Sequence, residues 1–335
     1  MTTHPTALAG VDRFDAQLAE QVAPADWHNP TPAGRYNLVV IGGGTAGLVA
    51  AMGAATLGAR VALVEKHRLG GDCLNTGCVP SKALLRAARA AYDARAAGGF
   101  GARAADGPVD FARVMARMRR LRANIATHDA ATRFADAGID LYFGAARFTG
   151  RDTAEVSGTS LRFARALIAT GAVPAVPPVP GLASSGYLTS DTVFTLSGLP
   201  RRLLVVGAGP IGCELAQAFR RFGSDVCIIS RDPGVLPLED PDASAILAAM
   251  LRREGIELAL GAELQRVERA GDRISVVFHR GRGEELRSGD TLLLAVGRVP
   301  AVGDLGLEDA GVTYGRHGID VDHRLRTRNR RIYAA

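Results

Sequence analysis

The chain has 335 residues, of which 47% are hydrophobic and 22% charged, so it is long enough for two globular domains with buried cores. Its formal net charge is +6, but only two of its 40 basic residues are lysines, and this arginine bias without interleaved aromatic residues argues against a nucleic-acid partner. Four cysteines are too few for a disulfide scaffold, and no apolar run reaches transmembrane length. We therefore expect a cytoplasmic protein with no membrane partner.

The first predicted elements are a polar arm and a strand–turn–helix–strand unit. Residues 1–35 carry acidic side chains and no apolar core of a signal peptide, and we expect one short helix in them. Residues 36–66 read as strand, glycine turn, alanine-rich helix and strand. Helices are predicted at 82–97 and 110–135, and the arginines of "RMRRLR" (117–122) are expected to face solvent opposite an apolar stripe.

The second half of the chain repeats the first. Short strand-like runs separated by turn residues at 141–169 predict a small meander, and the proline-rich stretch 171–181 predicts a stiff linker. Residues 201–231 repeat the strand–turn–helix–strand pattern, and 256–294 alternate like the strands of another sheet. The predicted fold class is α/β, with two Rossmann-like dinucleotide-binding domains that each contain a parallel sheet and a small antiparallel meander.

Glycines recur in the two repeats at a constant offset of 165 residues. The matching sets are Gly42, Gly44, Gly47 and Gly58 in the first repeat, and Gly207, Gly209, Gly212 and Gly223 in the second. Glycine lets the backbone turn sharply and approach a pyrophosphate, and the helix that follows presents free N–H groups and the positive end of its dipole. Two such turns, each between a strand and a helix, predict two bound dinucleotides.

The residue at the end of the second strand of each repeat distinguishes the two dinucleotides. Glu65 occupies this position in the first repeat, and a carboxylate there accepts hydrogen bonds from a ribose without a 2′-phosphate, as in FAD or NAD. The equivalent position in the second repeat is Ser230, followed by Arg231. A guanidinium in place of a carboxylate favours a 2′-phosphate, so we predict NADP in the second site and keep NAD as the alternative.

Cys73 and Cys78 flank the tetrapeptide "LNTG". Residues five apart on a regular helix are too distant for bridging, so a bond between these sulfurs needs irregular backbone. We expect Asn75 and Gly77 to supply it by taking positive φ, and Gly71 with the glycine before it to permit close approach to another group. The pattern favours a redox-active disulfide.

The surroundings of the two thiols bear on their chemistry. The start of a helix and nearby Lys82 are both expected to lower the thiol pKa. A zinc site is the weaker reading because the spacing is not CxxC and no second ligand pair exists, so we predict no metal site. Two inert core thiols would not need the flanking glycines. Cys213 and Cys227, in contrast, read as small buried hydrophobic residues.

The segment "GGDCLNTGCVPSKALL" resembles the active-site signature of the class I pyridine nucleotide–disulfide oxidoreductases, which include dihydrolipoamide dehydrogenase, glutathione reductase and mercuric reductase. Further segments match that family in order: "LIATGAVPAVPPVPG", "GAGPIGCELAQAF", "LLLAVGRVP" and "RTRNRRIYAA". The resemblance runs from about residue 36 to the end. It implies an FAD-dependent, NAD(P)H-linked enzyme with a redox-active disulfide.

The resemblance also implies roles for individual residues. Cys78 matches the thiol nearer the flavin and Cys73 the interchange thiol that meets the substrate. Lys82 matches the lysine beside the flavin, and Glu214 its ion-pair partner. Hydride would pass from NADPH to FAD and two electrons onward to the Cys73–Cys78 disulfide.

Further cofactor contacts and domain limits follow from the same match. The predicted cofactor-binding residues are Gly42, Gly44, Ala46, Gly47, Glu65, Lys66, Gly71, Lys82, Thr170, Gly171, Gly207, Gly209, Pro210, Ile211, Gly212, Ser230, Arg231 and Gly297. The predicted domains are an N-terminal arm (1–35), the first part of an FAD domain (36–185), an NAD(P) domain (186–296) and a truncated second part of the FAD domain (297–335).

The chain stops where the family continues into a Gly-Asp pair and a dimerisation domain, so we expect that domain, on which the family's homodimers depend, to be absent. The acceptor is expected to be a small molecule or a metal ion. "CVPSK" with Ser230 and Arg231 favours a mercuric reductase-like enzyme. One alternative is a dihydrolipoamide dehydrogenase-like enzyme using NAD. The other is a truncated nucleotide-binding remnant without turnover.

Overall fold

The computed structural model describes residues 12–105, 107–281 and 283–335. The helices in these ranges are α1 Arg13–Val22, α2 Thr45–Thr56, α3 Gly71–Asn75, α4 Cys78–Ala96, α5 Phe111–Ile125, α6 Ala131–Asp136, α7 Pro210–Phe222 and α8 Pro241–Arg253, with 3₁₀ turns at Ala97–Phe100, Ala126–Asp129 and Val193–Thr195. None of the helices within the described ranges is both long and apolar enough to cross a bilayer.

The strands are short, as expected for parallel sheets connected by helices. Their bounds are β1 Tyr36–Ile41, β2 Val61–Glu65, β3 Asp140–Phe143, β4 Ala146–Gly150, β5 Thr153–Val156, β6 Thr159–Ile168, β7 Ala172–Pro174, β8 Arg202–Val206, β9 Asp225–Ser230, β10 Glu257–Leu260, β11 Ala262–Ala270, β12 Arg273–Arg280, β13 Gly283–Gly289, β14 Thr291–Leu294, β15 Arg298–Pro300, β16 Tyr314–Gly315, β17 Gly318–Ile319 and β18 Ile332–Ala334.

The described chain divides into two compact units. The first contains residues 12–79, 119–173 and 299–335, and the second contains residues 80–118 and 174–298. The second unit thus begins earlier than the predicted NAD(P) domain and includes most of α4 and part of α5. The assignment of the four predicted segments to cofactor domains stays a prediction.

The first unit is built on one sheet with the strand order β3-β2-β1-β6-β5-β4, and β18 also pairs with β6. The pairs β1–β2, β2–β3, β1–β6 and β6–β18 are parallel. Every residue of β2 is buried, as is typical of a parallel strand covered on both faces. Strand β6 is long enough to begin as an antiparallel partner of β5 and to continue as a parallel partner of β1.

Residues N-terminal to β1 cover one edge of this sheet. Leu18 and Val22 of α1 are fully buried. The indole nitrogen of Trp27 donates to the carbonyl of Leu141, and the side-chain amide of Asn29 exchanges two hydrogen bonds with the backbone of Phe143. Both acceptors lie in the edge strand β3, so this segment satisfies backbone groups that an open edge would leave unpaired.

The second unit has the same plan. Its parallel sheet has the order β10-β9-β8-β14, and β11, β12 and β13 form an antiparallel meander beside it. The predicted fold class is therefore confirmed. One detail of the predicted 141–169 meander is wrong, because β3 at Asp140–Phe143 joins the parallel sheet beside β2 and only β4, β5 and the start of β6 are antiparallel.

The predicted helix at 110–135 is interrupted. It ends as α5 at Ile125, continues as a 3₁₀ turn, and restarts as α6 after Ala130, which has an extended backbone with φ −64° and ψ 138°. The expectation that the arginines of 117–122 face solvent is also wrong in part. Arg122 is buried and, with Arg119, approaches the Asp15 carboxylate of α1 at 2.7 Å and 3.6 Å respectively.

Candidate active site

The first glycine turn connects β1 to α2 and is fixed by backbone contacts. Gly42 has φ +108°, and a Cβ there would lie 2.2 Å from the carbonyl oxygen of Ala169. A Cβ on Gly47 would lie 1.8 Å from the carbonyl oxygen of Gly42. Both distances are far below van der Waals contact, so no larger residue fits either position.

The N-terminus of α2 has the features of a pyrophosphate cradle. Gly44 caps the helix without any side-chain hydrogen bond, so no side chain satisfies the first N–H groups. A Cβ on Gly44 would meet nothing closer than Gly71 Cα at 3.7 Å, and Ala46 in the first turn is exposed. This open backbone, with the positive end of the helix dipole, fits the pyrophosphate of a dinucleotide.

The Glu65 carboxylate lies beside this turn at the end of β2. It is buried, and its Oε2 accepts from the N–H of Gly43 at 2.7 Å while its Oε1 accepts from the N–H of His67 at 2.7 Å. The carboxylate therefore holds the turn, and each oxygen keeps a lone pair for a further donor such as a ribose hydroxyl. The adjacent Lys66 is exposed.

The second turn, between β8 and α7, repeats the first. Gly207 has φ +110°, and its Cβ would lie 2.3 Å from the carbonyl oxygen of Ala295. A Cβ on Gly212 would lie 2.1 Å from the Gly207 carbonyl oxygen, whereas one on Gly209 would have no neighbour within 4 Å. Since Pro210 begins α7 and no side chain caps it, this turn also fits a dinucleotide.

The flank of the second turn differs from that of the first. Ser230, the counterpart of Glu65, is buried, and its hydroxyl oxygen accepts from the Asp232 N–H at 3.3 Å. Arg231 is exposed. A hydroxyl and a guanidinium thus stand where the first unit has a carboxylate.

Cys73 and Cys78 lie on either side of the break between α3 and α4. Helix α3 ends at Asn75, and α4 begins at Cys78. The side chains of the two cysteines hydrogen bond to each other. The irregular backbone that bridging requires is therefore present between them.

The residues that create the break differ from the expected ones. Positive φ occurs at Gly70 (+87°) and Gly71 (+52°), not at Asn75 or Gly77. Gly77 is needed for space, because its Cβ would lie 2.9 Å from the Asp72 carbonyl oxygen. Asn75 stays helical, and its side-chain amide donates back to the carbonyl of Gly71 at 2.9 Å. A short polar side chain that hydrogen bonds to the backbone of its own turn stabilises the loop without a positive φ.

The cysteine loop lies directly against the first glycine turn. A Cβ on Gly71 would lie 2.6 Å from the Cα of Gly44, so the two backbones are in contact. The N–H of Gly70 donates to the carbonyl of Gly43 at 2.8 Å. This contact brings the two thiols next to the turn that fits a dinucleotide.

The expectation of a lowered thiol pKa is wrong for Cys73. Burial raises the pKa of the Cys73 thiol, and the hydrogen bond to Cys78 raises it further. The hydroxyl of Thr45, in the first turn of α2, hydrogen bonds to Cys73 and lowers its pKa, but this effect is smaller than that of burial. The carboxyl of Asp129 also adds negative charge near the sulfur, and its own pKa is raised by burial.

The other predicted site residues lie in both units. Lys82 is one helical turn after Cys78 and is exposed, as is Glu214 in α7. The two side chains form no ion pair with each other in the structure, and their pairing stays a prediction. The remaining predicted contacts all lie at loops or helix starts: Thr170 and exposed Gly171 after β6, Ile211 in the first turn of α7, and exposed Gly297 after β14.

Cys213 and Cys227 are buried, as expected. Burial raises the pKa of Cys213 to about 11 and that of Cys227 to about 12. Neither thiol ionises near neutral pH, and we assign no chemistry to them.

Sequence reasoning missed three groups near the thiols. Thr45 follows the third glycine of "IGGGTAG", and only its place in the first turn of α2 could have indicated contact with the loop. Asp129 and Arg122 gave no signal, since both lie far along the chain from the cysteines. Arg122 donates to the carbonyl of Asn75 at 2.8 Å.

Comparisons with known proteins agree with this geometry. The pyridine nucleotide-disulphide oxidoreductase family matches residues 36–335. Mercuric reductase from Lysinibacillus sphaericus is 36% identical over 98% of this chain and 61% of its own length. Dihydrolipoyl dehydrogenase from Acholeplasma laidlawii is 34% identical over 89% of this chain and 88% of its own length.

Among solved structures, the Cu(II) complex of the HOCl-induced flavoprotein disulfide reductase RclA from Escherichia coli superimposes with a TM-score of 0.77 at 32% identity. The superposition covers 90% of this chain and 65% of that one. The chain thus spans about three-fifths of the length of the mercuric reductase and about two-thirds of the RclA chain. These matches confirm the resemblance, and the chain belongs to the pyridine nucleotide-disulphide oxidoreductase family, whose members use FAD and NAD(P)H.

Proposed function

We propose that the chain is an FAD-dependent NADPH:disulfide oxidoreductase in which Cys73 and Cys78 are the redox pair. The observation that carries the proposal is the position of these two thiols. They hydrogen bond to each other on a loop whose Gly71 backbone contacts Gly44 of the first glycine turn. A cofactor at that turn would lie next to the sulfurs.

The proposal assigns one cofactor to each turn. FAD would be held by Gly42, Gly44, Ala46, Gly47, Glu65, Lys66, Gly71, Lys82, Thr170, Gly171 and Gly297, and NADPH by Gly207, Gly209, Pro210, Ile211, Gly212, Ser230 and Arg231. Bound FAD supplies two-electron transfer between the nicotinamide and the sulfur pair. The glycines admit the phosphates, and the Glu65 carboxylate orients the adenosine ribose.

The thiols carry the second half of the reaction. The Cys73–Cys78 disulfide takes up two electrons and two protons and becomes two thiols, and returning to the disulfide delivers two electrons to the acceptor. Cys73 is the proposed interchange thiol, and Thr45 assists it because its hydroxyl stabilises the ionised sulfur. Lys82 and Glu214 form the proposed ion pair beside the flavin.

NADPH is preferred over NADH in this proposal because of the second turn's flank. Buried Ser230 brings no negative charge, and exposed Arg231 offers five N–H donors to a 2′-phosphate. A carboxylate at position 230 would instead repel that phosphate. This combination supports the mercuric reductase-like assignment, with a metal ion or a small disulfide as the acceptor.

The second candidate is a dihydrolipoamide dehydrogenase-like enzyme that uses NAD. The match to a dihydrolipoyl dehydrogenase over 88% of that protein's length favours it. The two candidates differ in their nucleotide and in their acceptor.

Steady-state assays of the purified, FAD-loaded protein test the proposal. NADPH or NADH would be paired in turn with Hg²⁺, lipoamide and glutathione disulfide, and Cys73→Ser and Cys78→Ser proteins serve as controls. The proposal expects NADPH oxidation with a metal or disulfide acceptor that falls to the protein-free rate in both variants. Preference for NADH and lipoamide would support the second candidate. Bound FAD without turnover would identify a nucleotide-binding remnant.

A further inference from the structure

A buried ion pair joins α1 to α5 behind the cysteine loop. The Arg122 guanidinium donates to the Asp15 carboxylate at 2.7 Å, and each side chain is only 11% exposed. Most other ion pairs in the described residues have at least one partner that is more than one fifth exposed. α1 precedes the first strand and contributes no residue to either glycine turn.

This pair belongs to a closed ring of hydrogen bonds around the loop. Arg122 donates from its Nη1 to the carbonyl of Asn75 at 2.8 Å. The Asn75 side-chain amide donates to the carbonyl of Leu69 at 3.1 Å. The Leu69 N–H donates to the carbonyl of Val22 at 3.0 Å. Since Val22 and Asp15 are seven residues apart on one face of α1, the helix itself closes the ring.

The ring holds the cysteine loop at two points. Leu69 lies just before the two glycines that contact the first turn, and Asn75 is the last residue of α3, which carries Cys73. With both residues tied to α1, the segment between them cannot shift independently. The segment that carries Cys73 is thereby anchored by contacts that neither cysteine makes.

The energetics of the Asp15–Arg122 pair indicate that it fixes the geometry of the loop more than it adds stability. A buried ion pair contributes little net stability compared with packed apolar residues. Within the described residues, Arg122 Nε and Asn75 Oδ1 are also buried without a hydrogen-bond partner, which is a further cost. An arrangement with these costs specifies geometry more than it stabilises the fold.

We propose that Asp15 and Arg122 are positioning residues that hold the Cys73–Cys78 pair in bridging geometry, so that α1 acts as a brace for the redox loop. Their redox effect rests on the proposed function, because it requires that these thiols form a disulfide. The brace itself does not require it. Loosening the ring lets the loop move, which lowers the effective concentration of one thiol at the other.

The test uses the full chain carrying Asp15→Asn and Arg122→Met together, so that neither member of this pair is left charged without the other, while Arg119, 3.6 Å from Asp15, is unchanged. The equilibrium constant for the Cys73–Cys78 disulfide is measured in dithiothreitol redox buffers by alkylation and mass spectrometry, and amide hydrogen exchange is followed across residues 69–77. A matched control, Glu254→Gln with Arg221→Met, removes another buried pair, whose charged atoms lie 2.7 Å apart and whose side chains are 12% and 9% exposed. Arg120→Met removes an exposed arginine from α5.

We expect the double variant to weaken disulfide formation at least tenfold and to accelerate exchange across the loop at least tenfold, with both controls within twofold of the parent. An unchanged equilibrium constant in the double variant, or an equal change in the buried-pair control, would overturn the positioning role. If the parent forms no disulfide in any buffer, the proposed function fails, and amide hydrogen exchange alone then tests whether α1 braces the loop. Faster exchange in the double variant only would support the brace, and unchanged exchange would reject it.

Discussion

The two glycine turns have nearly the same backbone and different surroundings. Gly42 and Gly207 have φ values of +108° and +110°, and each donates its N–H at 2.8 Å to a carbonyl of the following strand, Val64 and Ile229 respectively. These positions keep the offset of 165 residues seen in the sequence. Backbone sterics therefore fix the turn, and the flanking residues determine what each turn does.

The segment that closes each turn shows the difference most clearly. The Gly43 carbonyl accepts from the N–H of Gly70, and the equivalent Ala208 carbonyl accepts from the N–H of Leu236, both at 2.8 Å. In the first unit this bond docks the loop that carries Cys73 and Cys78. In the second unit it docks a leucine with φ +49°, and the thiol beside this turn is the single buried Cys213, which donates to the same Ala208 carbonyl at 3.3 Å. The same local bond thus places the proposed redox pair beside only one of the two turns.

The largest expected effect comes from adding one methyl group to each turn. Gly47→Ala should weaken FAD binding at least about 100-fold, roughly 2.7 kcal/mol, and leave NADPH binding intact. Gly212→Ala should do the reverse. The new Cβ would lie 1.8 Å from the Gly42 carbonyl oxygen in Gly47→Ala and 2.1 Å from the Gly207 carbonyl oxygen in Gly212→Ala, so each turn would have to change shape. Titration of each protein with both nucleotides measures the effect.

Gly53→Ala is the matched control on α2, because no atom lies within 4 Å of its Cβ position. We expect it to stabilise the protein by about 0.5–1 kcal/mol, since alanine is the better helix former. If Gly47→Ala bound FAD as strongly as the parent, the first turn would not be the FAD site that this comparison assumes.

The second effect distinguishes the flanks of the turns. Glu65→Gln replaces one acceptor oxygen by an amide that faces a backbone N–H, so we expect about 2 kcal/mol, roughly 30-fold, weaker FAD binding. Ser230→Ala, at the equivalent position, removes one long hydrogen bond and should weaken NADPH binding by less than about 1 kcal/mol. Equal losses in the two variants would mean that the carboxylate has no special role.

A smaller effect tests nucleotide choice. Arg231→Gln should raise the Kd for NADPH about tenfold and leave that for NADH unchanged, because only NADPH carries the 2′-phosphate. Arg252→Gln changes an exposed arginine on α8 in the same unit and should alter neither constant. An identical response to both nucleotides would remove the basis for preferring NADPH.

The smallest effect concerns the Cys73 thiol. Its pKa is raised by burial, so at pH 8 the thiolate fraction is lower than in free cysteine, and the alkylation rate should keep rising to a higher pH. Thr45→Val removes a hydrogen bond that lowers this pKa and should slow alkylation of the reduced, cofactor-free protein several-fold. Thr56→Val is the control, because that hydroxyl donates to the Met52 carbonyl on the same helix. Faster alkylation of Thr45→Val would contradict the assignment.

The sequence predicts what depends on local backbone geometry. The positions of Gly42 and Gly207 require glycine in any strand–turn–helix unit of this kind, so their spacing revealed both turns and the fold class. Whether β3 pairs in a parallel or an antiparallel way was harder to predict. It is a short apolar strand, and its partner strand is determined by tertiary packing. The break at Ala130 had no glycine or proline to mark it.

Long-range polar contacts lay beyond sequence reasoning. Arg122 is one of several arginines on α5, and its pairing with Asp15 connects residues 107 positions apart. The burial that raises the Cys73 pKa likewise comes from the folded structure, whereas the helix start and Lys82 were visible in the sequence and suggested the opposite shift. Charge patterns along the chain do not reveal desolvation.

The most direct test of the central claim is differential thiol labelling of the FAD-loaded protein, analysed by mass spectrometry before and after addition of NADPH. The account predicts that Cys73 and Cys78 are protected together in the oxidised protein and become alkylated together after NADPH, while buried Cys213 and Cys227 stay unlabelled throughout. Alkylation of both Cys73 and Cys78 before any reductant is added would contradict it.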